Sequence, residues 1–302
     1  MGLKQIKSKI VSTEKTGKVT KAMESVSAVK MRKSQERALA GKAYAEAAIR
    51  ILHRISNSQD GQRFFEDYST DESKQCFIVI TSDKGLAGNL NSAVLKGTDA
   101  ALESLDKDKV SIVAYGRKAV EYYTRRGYNV VRSYTNVSDD VSLEDVYDLI
   151  DFLITEFRGK SFGKVSISYQ NFVSTFEQNA LLRQVLPLDP EVLEVMVKDI
   201  VPKRGKYAGT ERNLTDYVYE IEPNPEDVFK EIIPRLVQVM VYHALLESKA
   251  SEHSARMVAM KNATDKSKEI SKDLTLVYNK IRQAVITAEV SEITGGIEAM
   301  KN

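Results

Sequence analysis

The sequence predicts an α+α/β protein: an antiparallel coiled coil of long N- and C-terminal helices with a Rossmann-like α/β domain inserted between them. Three observations predict it. Residues 235–294 contain neither Gly nor Pro, and at ~1.5 Å per residue a helix of that length runs roughly 90 Å, several times the width of a small domain. Residues 1–60 also lack Pro, and their only glycines are Gly2, Gly17 and Gly41. Between these ends, short strand-like apolar runs alternate with helical patterns, as in a layered α/β sheet. A helix that long cannot be buried in its own domain, so it must protrude and be covered by something else. The expected divisions are 1–58 for the first helix, 75–222 for the α/β domain and 226–302 for the last helix, with 1–58 and 226–302 forming one shaft.

The elements follow in order. In the first helix Leu3, Ile6 and Ile10, then Val19, Ala22, Val26 and Val29, recur at the spacings of a narrow coiled-coil seam, with a polar stretch over 12–18 between them. Such a helix depends on a partner along its length. Residues 59–74 are polar and turn-rich and read as a loop. Residues 75–81 (QCFIVIT) read as a strand, and 82–91 (SDKGLAGNLN) as a Gly-containing turn that opens a helix to about residue 105. A second strand is expected over 110–114, a short helix over 117–126 closed by Gly127 as a left-handed cap, and a third strand over 129–134. A capping box from Ser142 to Asp145 starts a helix to residue 157. Residues 164–172 alternate around Val165, Ile167 and Tyr169 and read as a strand, with 178–186 as its partner. Five of the six prolines lie in 187–225, an excursion with a loop at 202–213 and a strand near 217–221. Pro225 suits a helix start; Pro234 marks a second stage or a kink.

Composition excludes several classes. Charged residues make up 28% and apolar residues 42% of the 302, ordinary values for a folded globular chain. The single Cys76 allows no intrachain disulfide and fits a reducing compartment. No run of 18 apolar residues is present, so no membrane span is expected. The N-terminus is basic without an apolar core, unlike a secretory signal; it contains acids and runs straight into the helical pattern, unlike a transit peptide. The net charge of +2 hides an imbalance: residues 1–37 hold ten Lys or Arg against three Glu. That end seeks an anionic partner. Nucleic acid is not expected, because aromatic interleaving and a larger net charge are both missing.

Catalytic constellations are also missing. No Gly is followed at the phosphate-loop distance by Gly-Lys-Ser/Thr. Gly85 and Gly88 sit in a strand-to-helix turn that could cradle a phosphate, but a tight structural turn is the reading preferred. His53, His243 and His253 lie on the long helices, and His243 and His253 are ten residues apart, too far to share a metal. Cys76 opens a buried strand with no activating context. No cofactor, metal or catalytic site is expected. At the C-terminal end, Leu274, Val277, Ile281, Ala284 and Ala288 form a heptad seam, but Leu276, Tyr278, Val285, Ile286, Val290 and Ile293 lie on other faces. A helix apolar all round is surrounded, either by a larger bundle or by a protein collar.

Specific stretches carry a family resemblance. Residues 6–33 (IKSKIVSTEKTGKVTKAMESVSAVKMRK), the turn 82–91, and 244–264 (ALLESKASEHSARMVAMKNAT) followed by 274–296 (LTLVYNKIRQAVITAEVSEITGG) resemble, in order and spacing, the gamma subunits of F-type ATP synthases. The resemblance implies a central-stalk rotor with one copy per complex. Its paired terminal helices would turn inside a hexamer of alpha and beta subunits, and its α/β foot would contact the epsilon subunit and the membrane c-ring. Ion flow through the ring would then drive ATP synthesis at the beta sites. It further implies that Arg282 and Gln283 contact a beta subunit near the shaft tip and that Thr287 and Glu289 lie in the same region. Met23 would lie opposite Arg256 near an acidic loop of beta, and Lys30, Arg32 and Lys33 would face such acidic loops. A peripheral position on the cytoplasmic face of a bacterial plasma membrane follows. Ala87 replaces a Cys common in the family's turn, the chloroplast-type insertion with paired cysteines is missing, and 189–216 matches no family pattern. Two other classes fit the composition: a coiled-coil scaffold or holdase binding an acidic protein, and a small α/β enzyme with helical arms.

Overall fold

The computed structural model describes residues 2–56, 74–188 and 225–300. In chain order its elements are α1 (Leu3–Ser56), β1 (Gln75–Ile80), α2 (Leu90–Leu102), β2 (Val110–Tyr115), α3 (Arg117–Arg125), β3 (Asn129–Tyr134), α4 (Tyr147–Arg158), β4 (Lys164–Phe172), β5 (Gln178–Leu186) and α5 (Pro225–Ala299). The loop expected over 59–74 (Lys74 excepted), the loop at 202–213, the strand near 217–221 and the side chain of His53 lie outside the described residues. Contacts divide the chain into two units, Met1–Ser27 with Arg256–Asn302, and Ala28–Ala255.

The unit Ala28–Ala255 is built on a five-stranded sheet of order β3-β2-β1-β4-β5. The first four strands are parallel and β5 runs antiparallel to β4. Strands buried on both faces need apolar residues at every position. Cys76–Ile80 of β1 meet that demand, whereas β3 alternates exposed and half-buried residues as an outer strand does. Alternation along β1 sends Phe77 and Val79 to one face with Val94 and Leu102 of α2 and Ala119 and Tyr123 of α3. Cys76, Ile78 and Ile80 point to the other face, where Leu149 and Leu153 of α4 pack with Leu236, Val237, Val241 and Leu245 of α5. The first third of α5 is therefore core. The expectation that this helix cannot be buried in its own domain is corrected for its first part: Leu236, Val237, Val239, Met240, Val241, Ala244, Leu245 and Leu246 cover one face of the sheet.

Local signals hold in most places. Gly127 caps α3 in the left-handed region (φ 73°), and the N–H of Tyr128 donates to the Tyr123 carbonyl at 3.1 Å. At Ser142 both the N–H and the hydroxyl donate to the Asp145 carboxylate (2.7 and 3.0 Å). That is half of a capping box, and a 3-10 turn at Glu144–Val146 precedes α4. Helix α5 continues through Pro234, which neither ends it nor starts a second helix.

In the unit Met1–Ser27 with Arg256–Asn302, the helices pair antiparallel. Thr20 Oγ1 lies 2.7 Å from Thr264 Oγ1, and the Ser271 hydroxyl donates to Glu14 Oε1 at 3.5 Å. The buried or half-buried face of α1 in this unit runs Leu3, Ile6, Ile10, Thr13, Gly17, Thr20, Met23 and Ser27. The expected seam holds as far as Ile10 and fails beyond it, because Val19 and Val26 are 59% and 55% exposed. Val29, the next residue of the expected seam, is likewise exposed. The three-four spacing simply continues through small and hydroxyl residues. A β-carbon on Gly17 would stand 3.3 Å from Ser267 Cβ, so the backbones approach more closely than a valine seam allows.

Gly17→Leu should therefore force the helices apart. Its expected signature is loss of amide protection over residues 264–271, with no change in the α/β unit. Gly17→Ala should stay within about 1 kcal/mol of the parent, since better helix propensity offsets the tight contact. Native-state hydrogen exchange checks both, and unchanged protection in Gly17→Leu would refute the close-approach account.

Candidate functional site

The pairing register defines the site. One residue back along α1 matches one residue forward along α5, so from Thr20–Thr264 and Gly17–Ser267 the start of α1 at Gly2 lies level with about Arg282. Burial agrees. Ile6 is 1% exposed, and Leu274, Tyr278 and Ile281 are half-buried. From Arg282 to Ile297 every residue of α5 is exposed. This overhang carries Val285, Ile286, Val290, Ile293, Ile297 and Met300. At ~100° per residue these six fall in an arc of roughly 140° on one side of the helix. Leu276 and Val277, exposed on other faces, add apolar surface just below it. A bare apolar stripe of this extent on an isolated helix marks an interaction surface.

Of the residues expected at the tip, Arg282 and Glu289 sit within the apolar arc, Gln283 lies next to it, and Thr287 faces away from it. All four are exposed. The Thr287 hydroxyl donates to the Gln283 carbonyl at 2.9 Å, which keeps it on its own helix. Met23 is half-buried and Arg256 buried in the same helix pair. The register sets Met23 level with about Lys261, a turn or more from Arg256. The basic cluster belongs to the other unit. There Lys30 Nζ donates to Asp139 Oδ2 at 2.5 Å, while Arg32 and Lys33 are exposed. Lys30 is thus matched inside its own chain, where the sequence reading set it against a partner.

The turn after β1 shows how a glycine-containing loop is held without a ligand. The Ser82 N–H donates to Asn91 Oδ1 (2.9 Å), the Asn91 amide donates to Ser82 Oγ (2.8 Å), and the Ser82 hydroxyl donates to the Lys84 carbonyl (2.6 Å). Asp83 accepts from the backbone N–H groups of Arg117 (3.0 Å) and Val137 (3.1 Å). The turn's own side chains satisfy it, in keeping with a structural role. Cys76 is fully buried and burial pushes its thiol up to about 12, far from a reactive thiolate.

A family model described as ATP synthase matches residues 2–300. The ATP synthase gamma chain of Roseiflexus sp. (strain RS-1) is 37% identical over 301 residues, covering 98% of each chain. The chain belongs to the ATP synthase gamma family. A gamma subunit is a non-catalytic part of the central stalk, with catalysis in the beta subunits. Solved relatives share the fold. The central stalk/c-ring structure of the Tetrahymena thermophila mitochondrial ATP synthase matches at TM-score 0.59 and 24% identity, over 81% of this chain and 99% of that one. The rotor of the Euglena gracilis mitochondrial enzyme in rotational state 1 matches at 0.62 and 17%, over 94% and 98%. The OSCP/F1/c-ring structure of the same enzyme in rotational state 3 matches at 0.66 and 19%, over 99% and 94%. Among the described residues of this gamma subunit, no helix is long and apolar enough to cross a membrane.

Two features of the gamma subunit escaped the sequence reading. One is the small-residue seam through Thr13, Gly17 and Thr20, legible only by continuing the three-four count past the last apolar residue. The other is the acidic pair Asp139–Asp140, which receives Lys30 and Arg37 of α1. Its signal was an uncompensated cluster of Lys and Arg at one end of the chain and two adjacent aspartates 100 residues later.

Proposed function

We infer that this gamma subunit is the rotor of its complex, turning as one copy inside a hexamer of alternating alpha and beta subunits. Its α/β unit is held by the epsilon subunit and the membrane c-ring. The observation that carries the reading is the exposed end of α5 from Arg282 onward, a single helix with a large apolar stripe that its own chain does not cover. A collar fits this surface better than a second copy of the chain. A collar presents several different faces to a rotating helix, and the helix can bias each beta site by contacting its conformations unequally. Arg282 and Gln283 sit at the foot of this stripe and are proposed to grip beta, with Thr287 and Glu289 in the same zone. Arg32 and Lys33 are proposed to face acidic loops of the collar, and Met23 and Arg256 to lie near an acidic loop of beta. Ion flow through the ring drives the rotation, and the subunit is peripheral at the cytoplasmic face of a bacterial plasma membrane.

The double variant Arg282→Ala/Gln283→Ala tests the grip. Neither side chain is buried in its own chain, so thermal unfolding should not move, whereas coupled ATP synthesis in vesicles should drop by roughly tenfold if the pair contributes as an interface hot spot does. Unchanged synthesis would remove both residues from the site. Co-purification with alpha and beta subunits at one to three to three tests the rotor reading itself. Stable self-association without them would favour a scaffold.

A further inference from the structure

We propose that Asp139 is the pin that makes α1 turn together with the α/β unit. The loop after β3 meets both long helices within the unit Ala28–Ala255. On the α1 side, Asp139 accepts from Lys30 and Asp140 pairs with Arg37. On the α5 side, Asp139 Oδ1 lies 3.1 Å from His253 Nε2 and 3.7 Å from Lys249 Nζ, and Lys249 also donates to the Val137 carbonyl at 3.3 Å. His253 is 2% exposed, so this side of the cluster is shielded from solvent. The loop is itself tied down. The Val137 N–H donates to Asp83 at 3.1 Å, and the Arg117 guanidinium donates to Asn136 at 2.9 Å. Both ties lead to the ends of the central strands.

The two helices are therefore attached in different ways. Helix α5 is locked by interdigitated side chains from Leu236 to Leu246, which resist sliding because a packed core has no continuous slip path. Helix α1 buries only Met31 and Ser34 among its described residues in this unit and is joined to the loop by directional charge pairs, one of them through Asp139, which at the same time faces α5. Charge-assisted contacts of this kind fix orientation as well as distance. Hydrogen bonding to His253, with Lys30 and Lys249 beside it, holds the Asp139 carboxyl well below the usual carboxylate range, so the pin stays charged at working pH. Torque entering at the α/β unit reaches α5 through the core, and reaches α1 both through its buried residues Met31 and Ser34 and through the directional link at Asp139.

The inference rests on the rotor reading, and its test separates the two. In assembled complexes reconstituted in vesicles, Asp139→Asn should leave ATP hydrolysis within about twofold of the parent while ion pumping per ATP falls several-fold. Hydrogen exchange over residues 28–37 should rise by about twofold to threefold, because the pairs on the α1 side are partly exposed and each is individually weak. Asp139→Glu should restore pumping. Asp140→Asn, at a largely exposed side chain, should show the same split more weakly and guards against a folding failure at 139. Hydrolysis and pumping falling in parallel with the unfolding temperature, without rescue by Glu, would make Asp139 a stability residue only and overturn the proposal. Unaltered pumping in both variants would overturn it too. If the unmodified chain neither assembles nor supports pumping, the rotor reading fails instead.

Discussion

Gly116→Ala should unfold the α/β unit more severely than any other single methyl addition among its described residues. Gly116 follows β2 at φ 95°, outside the range of L side chains. Its N–H donates to the Tyr134 carbonyl at 2.7 Å, and the Thr81 N–H donates to the Tyr115 carbonyl at 2.7 Å. These two bonds draw the ends of β1, β2 and β3 together around a point where no side chain fits. A β-carbon at 116 would sit 2.1 Å from the Thr81 carbonyl oxygen and 2.7 Å from its carbon. Backbone cannot swing aside as a flexible side chain does, and Thr81 is further held by its hydroxyl, which accepts from the Ala119 N–H at 2.9 Å. The expected loss is about 3–5 kcal/mol, a large share of the ~5–15 kcal/mol that keeps a domain folded. Gly127→Ala is the control. Gly127 also has positive φ, but nothing lies within 4 Å of its β-carbon position, so only the backbone cost of about 1–2 kcal/mol applies. Urea unfolding followed by tyrosine fluorescence, in a chain without Trp, reads both. Equal midpoints for the two variants would refute the steric argument.

Deleting residues 282–302 should have the largest functional effect with the smallest structural one. Residues 282–297 are exposed throughout, and α1 begins level with about Arg282, so the deletion removes little that the chain itself uses. Amide protection in the paired helices and in the sheet should match the full chain. Coupled synthesis should fall at least tenfold, because the whole apolar stripe and the proposed grip are lost together. Deleting only 297–302 should change synthesis less than about twofold, since helix ends fray and contribute least. Retention of full coupled synthesis by the longer deletion would sink the proposal that this overhang is the collar contact.

Much of the fold was legible from residue patterns. The strands were legible from short apolar or alternating runs between turns, and Gly127 announced the end of α3. The long final helix followed from a 60-residue absence of Gly and Pro. The seam of α1 was legible only as far as Ile10. Beyond it the reading followed the valines, since apolarity is the usual marker of burial. The helices instead meet through Gly17, Thr20 and Thr264, where closeness of approach and a hydroxyl pair outweigh apolar area. Val19, Val26 and Val29 were left outside.

The tip residues were named from family motifs, and their position on bare helix could not be read from the sequence. Exposure there depends on where α1 starts relative to α5, a quantity set by register. Lys30 was likewise read as one of a basic row, yet its partner Asp139 lies 109 positions away.

By itself the sequence determined the long terminal helices, which segments are strands, and the family. Each of these rests on local periodicity, on breakers or on motifs contained within a few dozen residues. Only the tertiary structure decided which face of α1 pairs, how much of α5 becomes core and where α5 is left alone. It also decided which of the basic residues are matched within the chain. Those choices compare surfaces far apart in sequence, and their energies come from shape fit and charge pairing that appear only once the surfaces meet.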